Sequence, residues 1–182
     1  MARNPHKSVA ATVLLVFGYL NLPSRIQADT LTISNSLNAN IVALGALSVP
    51  GAASLTNTGK VFNTFSGAVS VQYRARTSAS GGGNLTLKVT QDFQTGGPSV
   101  AGGDLTYVCG AAGLGSACGT STASTSSATS VVTLPASACT GGGAPCSATD
   151  PNSVVVTFSL ADRPVVKTGT FTANVQFTIS AT

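Results

Sequence analysis

The chain has 182 residues, with nine Lys and Arg against five Asp and Glu, and a formal net charge of +4. It contains no Glu and no Trp, and its only His and only Met, His6 and Met1, both fall within the first 28 residues. Beyond residue 28, therefore, nothing is available to build a Ser-His-Asp or Cys-His centre or a His-bearing zinc site.

The N-terminus reads as a secretory leader. Arg3, His6 and Lys7 give a basic start, "VAATVLLVFGYL" from Val9 to Leu20 is mostly apolar, and the Pro-containing "NLPSRIQA" closes at Ala28. That is the region order of a signal peptide, cleaved near Ala28. The apolar run is shorter than the roughly 20 residues a membrane helix needs, and no later run is long enough. Removing 1–28 takes Arg3, Lys7 and Arg25, leaving six basic residues against five acidic ones. Only Arg74 and Arg76 stand close together, which excludes the clustered charge of a nucleic-acid surface. The remaining stretch, 29–182, has the length of a single domain.

Along that stretch apolar residues recur with a period of two, and no helical period persists for three turns. "TLTISNSL" puts Leu31 and Ile33 on one face, and "NIVALGALSV" is a weaker strand. "AVSVQYRAR" places Val69, Val71, Tyr73 and Ala75 opposite Ser70, Gln72, Arg74 and Arg76. "NLTLKVT" sets Leu85, Leu87 and Val89 together, and "DLTYVC" does so for Leu105, Tyr107 and Cys109. The low-complexity "GTSTASTSSATS", 119–130, reads as a mobile or edge segment. "TSVVTL" is a weak strand. "SVVVTFSLA" aligns Val154, Val156, Phe158 and Leu160, and the last segment, 170–182, alternates without a break. Gly- and Pro-rich turns such as "PGAAS", "TGGPSVAGG" and "CTGGGAPC" separate these runs. About eight strands with one polar face each, and no helices to cover them, predict an all-β, antiparallel two-sheet β-sandwich, immunoglobulin-like, with a jelly roll or barrel as the alternative. The final strand is expected to be a core strand, with Phe171, Val175, Phe177 and Ile179 facing the opposing sheet.

Four cysteines, Cys109, Cys118, Cys139 and Cys146, are an even set in an exported chain and predict disulfides. Eight and six residues intervene within the local pairs, which is unlike a zinc knuckle. Of three possible connectivities the local one, Cys109–Cys118 and Cys139–Cys146, is favoured because each pair brackets a Gly-rich turn. No cofactor or metal is expected: the five Asp are scattered, and no Asp-rich loop offers a calcium site. Catalysis would have to rest on an Asp pair or a Lys base. Arg74 and Arg76 read as a solvated face protecting a strand from edge pairing. Tyr73 and Tyr107 read as core residues.

The segment from Leu31 onward, closing on "TGTFTANVQFTISAT", resembles bacterial exported β-sandwich subunits, the pilin-like and spore-coat-U-like secreted proteins. The likeness is most specific from Gly169 to Ile179. It implies a non-enzymatic structural or surface-assembly role, with copies of itself or other surface subunits as partners and Leu31 and Ile33 as strand-exchange residues. The second reading is a secreted glycan- or protein-binding module that uses loops 94–103 and 140–152.

Overall fold

A computed structural model describes residues 39–48, 51–57, 59, 61–140 and 143–182. The expected leader, the expected domain start at 29, and Leu31 and Ile33 lie outside the described residues. Residues Asn40–Thr182 form one compact unit. Its strands are β1 (Leu44–Ser48), β2 (Thr56–Asn57), β3 (Phe65–Arg76), β4 (Gly83–Gln91), β5 (Leu105–Cys109), β6 (Ser116–Ala117), β7 (Thr120–Thr122), β8 (Thr129–Leu134), β9 (Asn152–Leu160) and β10 (Asn174–Ala181). The one helical turn among the described residues is a 3₁₀ turn at Ala144–Cys146.

The strands form two antiparallel sheets. Sheet A runs β1-β3-β9-β5-β7, with β2 beside the other half of β3; sheet B runs β10-β4-β8-β6. The sheets stay separate and do not close into a barrel. Strands of five residues or more divide four and three, the division of an immunoglobulin constant-type sandwich. The connections are this chain's own: the fifth and sixth long strands, β8 and β9, sit in each other's sheets relative to that scheme.

The inward sets follow the period-two reading. Val69, Val71, Tyr73 and Ala75 of β3 meet Leu85, Leu87 and Val89 of β4 in a core completed by β5, β8 and β9. Each fully buried Val or Leu among them contributes about 1.5–3 kcal/mol by leaving water. β8 departs from strict alternation. Val131 and Val132 are adjacent and both fully buried, because the β4–β8 register slips between Leu85 and Thr86 and places an extra residue opposite β4.

The last strand differs from the expected core strand. β10 is the edge of sheet B, paired only with β4, and it begins at Asn174. Val175, Phe177 and Ile179 pack against the core but are only half-buried. Phe171 lies before the strand and lies against Gly97, where an added Cβ would stand 2.5 Å from its ring. Among the described residues β10 has one neighbour in the sheet, and no further strand pairs with its outer edge.

Candidate functional site

A two-sheet sandwich has two lateral seams, and here they are finished differently. At the β6/β7 side the chain crosses between sheets. Ser116 and Ala117 pair with β8 of sheet B, and the Cys118 N–H continues that pairing to the Val131 carbonyl at 3.0 Å. Gly119 turns with a φ of +70°, which glycine adopts without strain. Thr120–Thr122 then pair with β5 of sheet A, and the Cys109 N–H donates to the Gly119 carbonyl at 2.9 Å. Ala123 is buried against sheet A, and Ser124 returns to sheet B to accept the Val89 N–H. The Cys109–Cys118 disulfide stands at this crossing. The segment read as low complexity is thus an edge segment that laces one seam shut. Its hydroxyl residues suit the task because they sit on the wet face of a two- or three-residue strand.

At the opposite seam the edges are β1 and β10. They approach closely: a Cβ on Gly45 would lie 3.2 Å from Ile179 Cγ1. Leu47 from β1 and Val175, Phe177 and Ile179 from β10 line the seam half-buried. Leu44 is 62% exposed, and Ile41 and Val42 just before β1 are also exposed. Neither edge strand carries a charged residue. Arg74 and Arg76 do not protect this edge, contrary to their expected role. They belong to β3, which lies between β1 and β9. Arg76 donates through Nε and Nη2 to the Val42 carbonyl at 3.1 and 2.7 Å, and Arg74 Nη2 donates to the Thr149 carbonyl at 2.6 Å.

The local cysteine connectivity is the one found, Cys109–Cys118 and Cys139–Cys146, with no free cysteine among the described residues. Both tyrosines are buried. The Tyr107 hydroxyl crosses from sheet A to donate to the Ser130 carbonyl of sheet B at 2.8 Å. The Tyr73 hydroxyl donates to the Leu114 carbonyl and accepts the Leu114 N–H; burial pushes its pKa up, partly offset by the bond with the Leu114 backbone.

The loops 94–103 and 140–152 lie at opposite ends of β9. The Ala161 N–H, just past its last residue, donates to the Asp104 carbonyl at 2.9 Å, whereas Asn152, its first residue, donates to the Pro145 carbonyl at 2.6 Å. About 27 Å of strand separates them, so they do not form one surface. Asp92 and Asp104 both turn toward Ser99. Asp92 accepts the N–H groups of Phe93, Val100 and Ala101 at 2.8, 2.9 and 3.3 Å. Burial raises its pKa, but these bonds, with one from the Ser99 hydroxyl, outweigh burial and hold it below the usual carboxylate range. Asp104 accepts the Ser99 N–H and pairs with Arg163 at 2.5 Å. A general acid needs the opposite environment, one that retains a proton. No group of three or more His, Cys, Asp or Glu able to hold a metal occurs among the described residues.

No protein-family profile, curated protein or solved structure matches this chain.

Proposed function

We propose that this protein is an exported, non-enzymatic structural subunit that assembles at the cell surface or in the extracellular space through its open seam. One observation carries the reading: two uncharged edge strands, β1 and β10, flank half-buried apolar residues on one side of the sandwich, while the other side is laced by residues 116–124. Unpaired strand edges are templates for further strands, and proteins that remain alone protect them with Lys, Pro or cover. Two disulfides fit an oxidising compartment. The partner is a second copy or another surface subunit, and Leu31 and Ile33, preceding β1, are the residues that the resemblance nominates as donors.

The test is assembly state by light scattering and negative-stain microscopy. Wild type is expected to form oligomers or filaments. Replacing Leu44 and Ala46 with Lys puts charge on the exposed face of β1, where little packing is lost. The variant is expected to be monomeric with an unchanged melting temperature. A strictly monomeric wild type, or a double variant that assembles equally well, overturns the proposal.

A further inference from the structure

The outer face of sheet A carries a second feature, remote in character from the apolar seam. Ser66 of β3 is in register with Ser159 of β9, and Ser159 with Thr106 of β5. Three hydroxyl residues therefore stand in one row across three neighbouring strands. At a strand spacing of roughly 4.8 Å the row spans about 10 Å. Asn63 and Thr64 on one side and Gly103 and Asp104 on the other raise walls around it, enclosing an open groove of about 490 Å³.

The hydrogen-bonding state of these groups is specific. Ser66 donates its hydroxyl proton to the Phe158 carbonyl at 3.2 Å, and Thr106 donates to the Ser159 carbonyl at 3.4 Å. Both oxygens are left as acceptors toward the groove. The hydroxyls of Thr64 and Ser159 make no hydrogen bond to the described residues and can donate or accept. Among the described lining residues the one charge, Asp104, is 7% exposed and already paired with Arg163. Among the described lining residues there is no cation for an anion, one committed carboxylate for a metal ion, and Ala161 alone as an apolar side chain.

The residue preceding the wall residue Asn63 is aromatic. Phe62, next to Asn63, is 57% exposed and has a φ of +54°. A bulky side chain rarely adopts that conformation, and such outliers cluster at functional positions. The turn that carries Asn63 into the groove wall therefore also exposes a large apolar ring to water.

We propose that this groove binds a neutral saccharide. Sugar hydroxyls both donate and accept, which matches the mixed states of Ser66, Thr106, Thr64 and Ser159, and the C–H face of a pyranose can lie on the Phe62 ring. The site is distinct from the β1/β10 seam and does not depend on assembly.

The test is an amide NMR titration of the purified protein with three probes: short oligosaccharides of β-1,4-glucan, of β-1,4-linked N-acetylglucosamine and of α-mannan. At least one is expected to shift the Asn63, Thr64, Ser66, Thr106 and Ser159 amides saturably. Phe62→Ala is expected to weaken that binding roughly two- to tenfold. Ser159→Leu, which fills the groove floor, is expected to abolish it, and Thr64→Arg at the exposed wall serves as a second block should the first variant fold poorly. No saturable shift with any probe, shifts that map elsewhere, or binding undiminished in the folded blocking variants overturns the proposal.

Discussion

Asp92 shows how much of this molecule is organised by single polar side chains in loops. Its carboxylate gathers three backbone N–H groups of the 93–101 turn, donors that no strand satisfies. Asp92→Ala is expected to cost roughly 1–3 kcal/mol in chemical denaturation at neutral pH. Because the folded-state pKa lies below the unfolded one, this stability is complete above the ordinary carboxylate range and is lost as pH falls through the lowered value. The wild-type and variant stabilities should therefore draw together progressively as pH falls below about 4; a gap that stays constant with pH would show that the charge is irrelevant. The buried roles of Tyr73 and Tyr107 were legible in the sequence because each shares an alternating face with aliphatic residues. The exposure of Phe62 was not. It sits outside any periodic run, and a positive φ leaves no mark in a sequence unless glycine carries it. The true partners of Arg74 and Arg76 were hidden for a related reason, since a guanidinium reaching a carbonyl 34 or 75 residues away is set by tertiary placement.

At the scale of elements, strands with one fully covered face were legible and strands defined by their neighbours were not. β3, β4, β5 and β9 alternate because one face is buried along most of their length. β6 and β7, two and three residues long, exist because a glycine turn and a disulfide hold the chain between the two sheets. β10 alternates as cleanly as any strand, yet alternation carries no information on whether both edges are paired. The two disulfides close loops of similar length, sequence separations of 9 and 7, and each is expected to contribute roughly 2–3 kcal/mol. Their local consequences should differ. Replacing Cys109 and Cys118 with Ser should speed hydrogen exchange at the Val89 and Ala123 amides, which bond across the laced seam. Replacing Cys139 and Cys146 should leave those two amides protected. Equal effects from both pairs would mean that the lacing holds without its crosslink.

The unit Asn40–Thr182 is a sandwich with one seam laced by backbone pairing to both sheets and the other closed by side chains between β1 and β10, with no backbone pairing between them among the described residues. The proposed assembly through β1 and β10 and the proposed saccharide groove on the outer face of sheet A involve different surfaces, so the two proposals do not compete. The division into two antiparallel sheets could be read from strand count and the absence of helices. The strand order could not, because it depends on contacts between segments far apart in the chain. The pairing of β4 with β10 is the extreme case: the Ser180 hydroxyl meets the Asn84 carbonyl across 96 residues. Such long loops close late. A chain emerging from its N-terminus completes β3, β4, β8 and β9 while β4 still has an empty side. Truncation after Gly169 should freeze that state and give a product without a cooperative melt. A synthetic peptide of residues 170–182 added in trans should restore the transition, seen by circular dichroism, and failure to do so would mean that β10 must be covalently attached to dock. The empty side of β4 is thus an interval in time as well as a place. While it lasts, any extended segment with β10's alternation can compete for the position that the chain's own last strand is still travelling to fill.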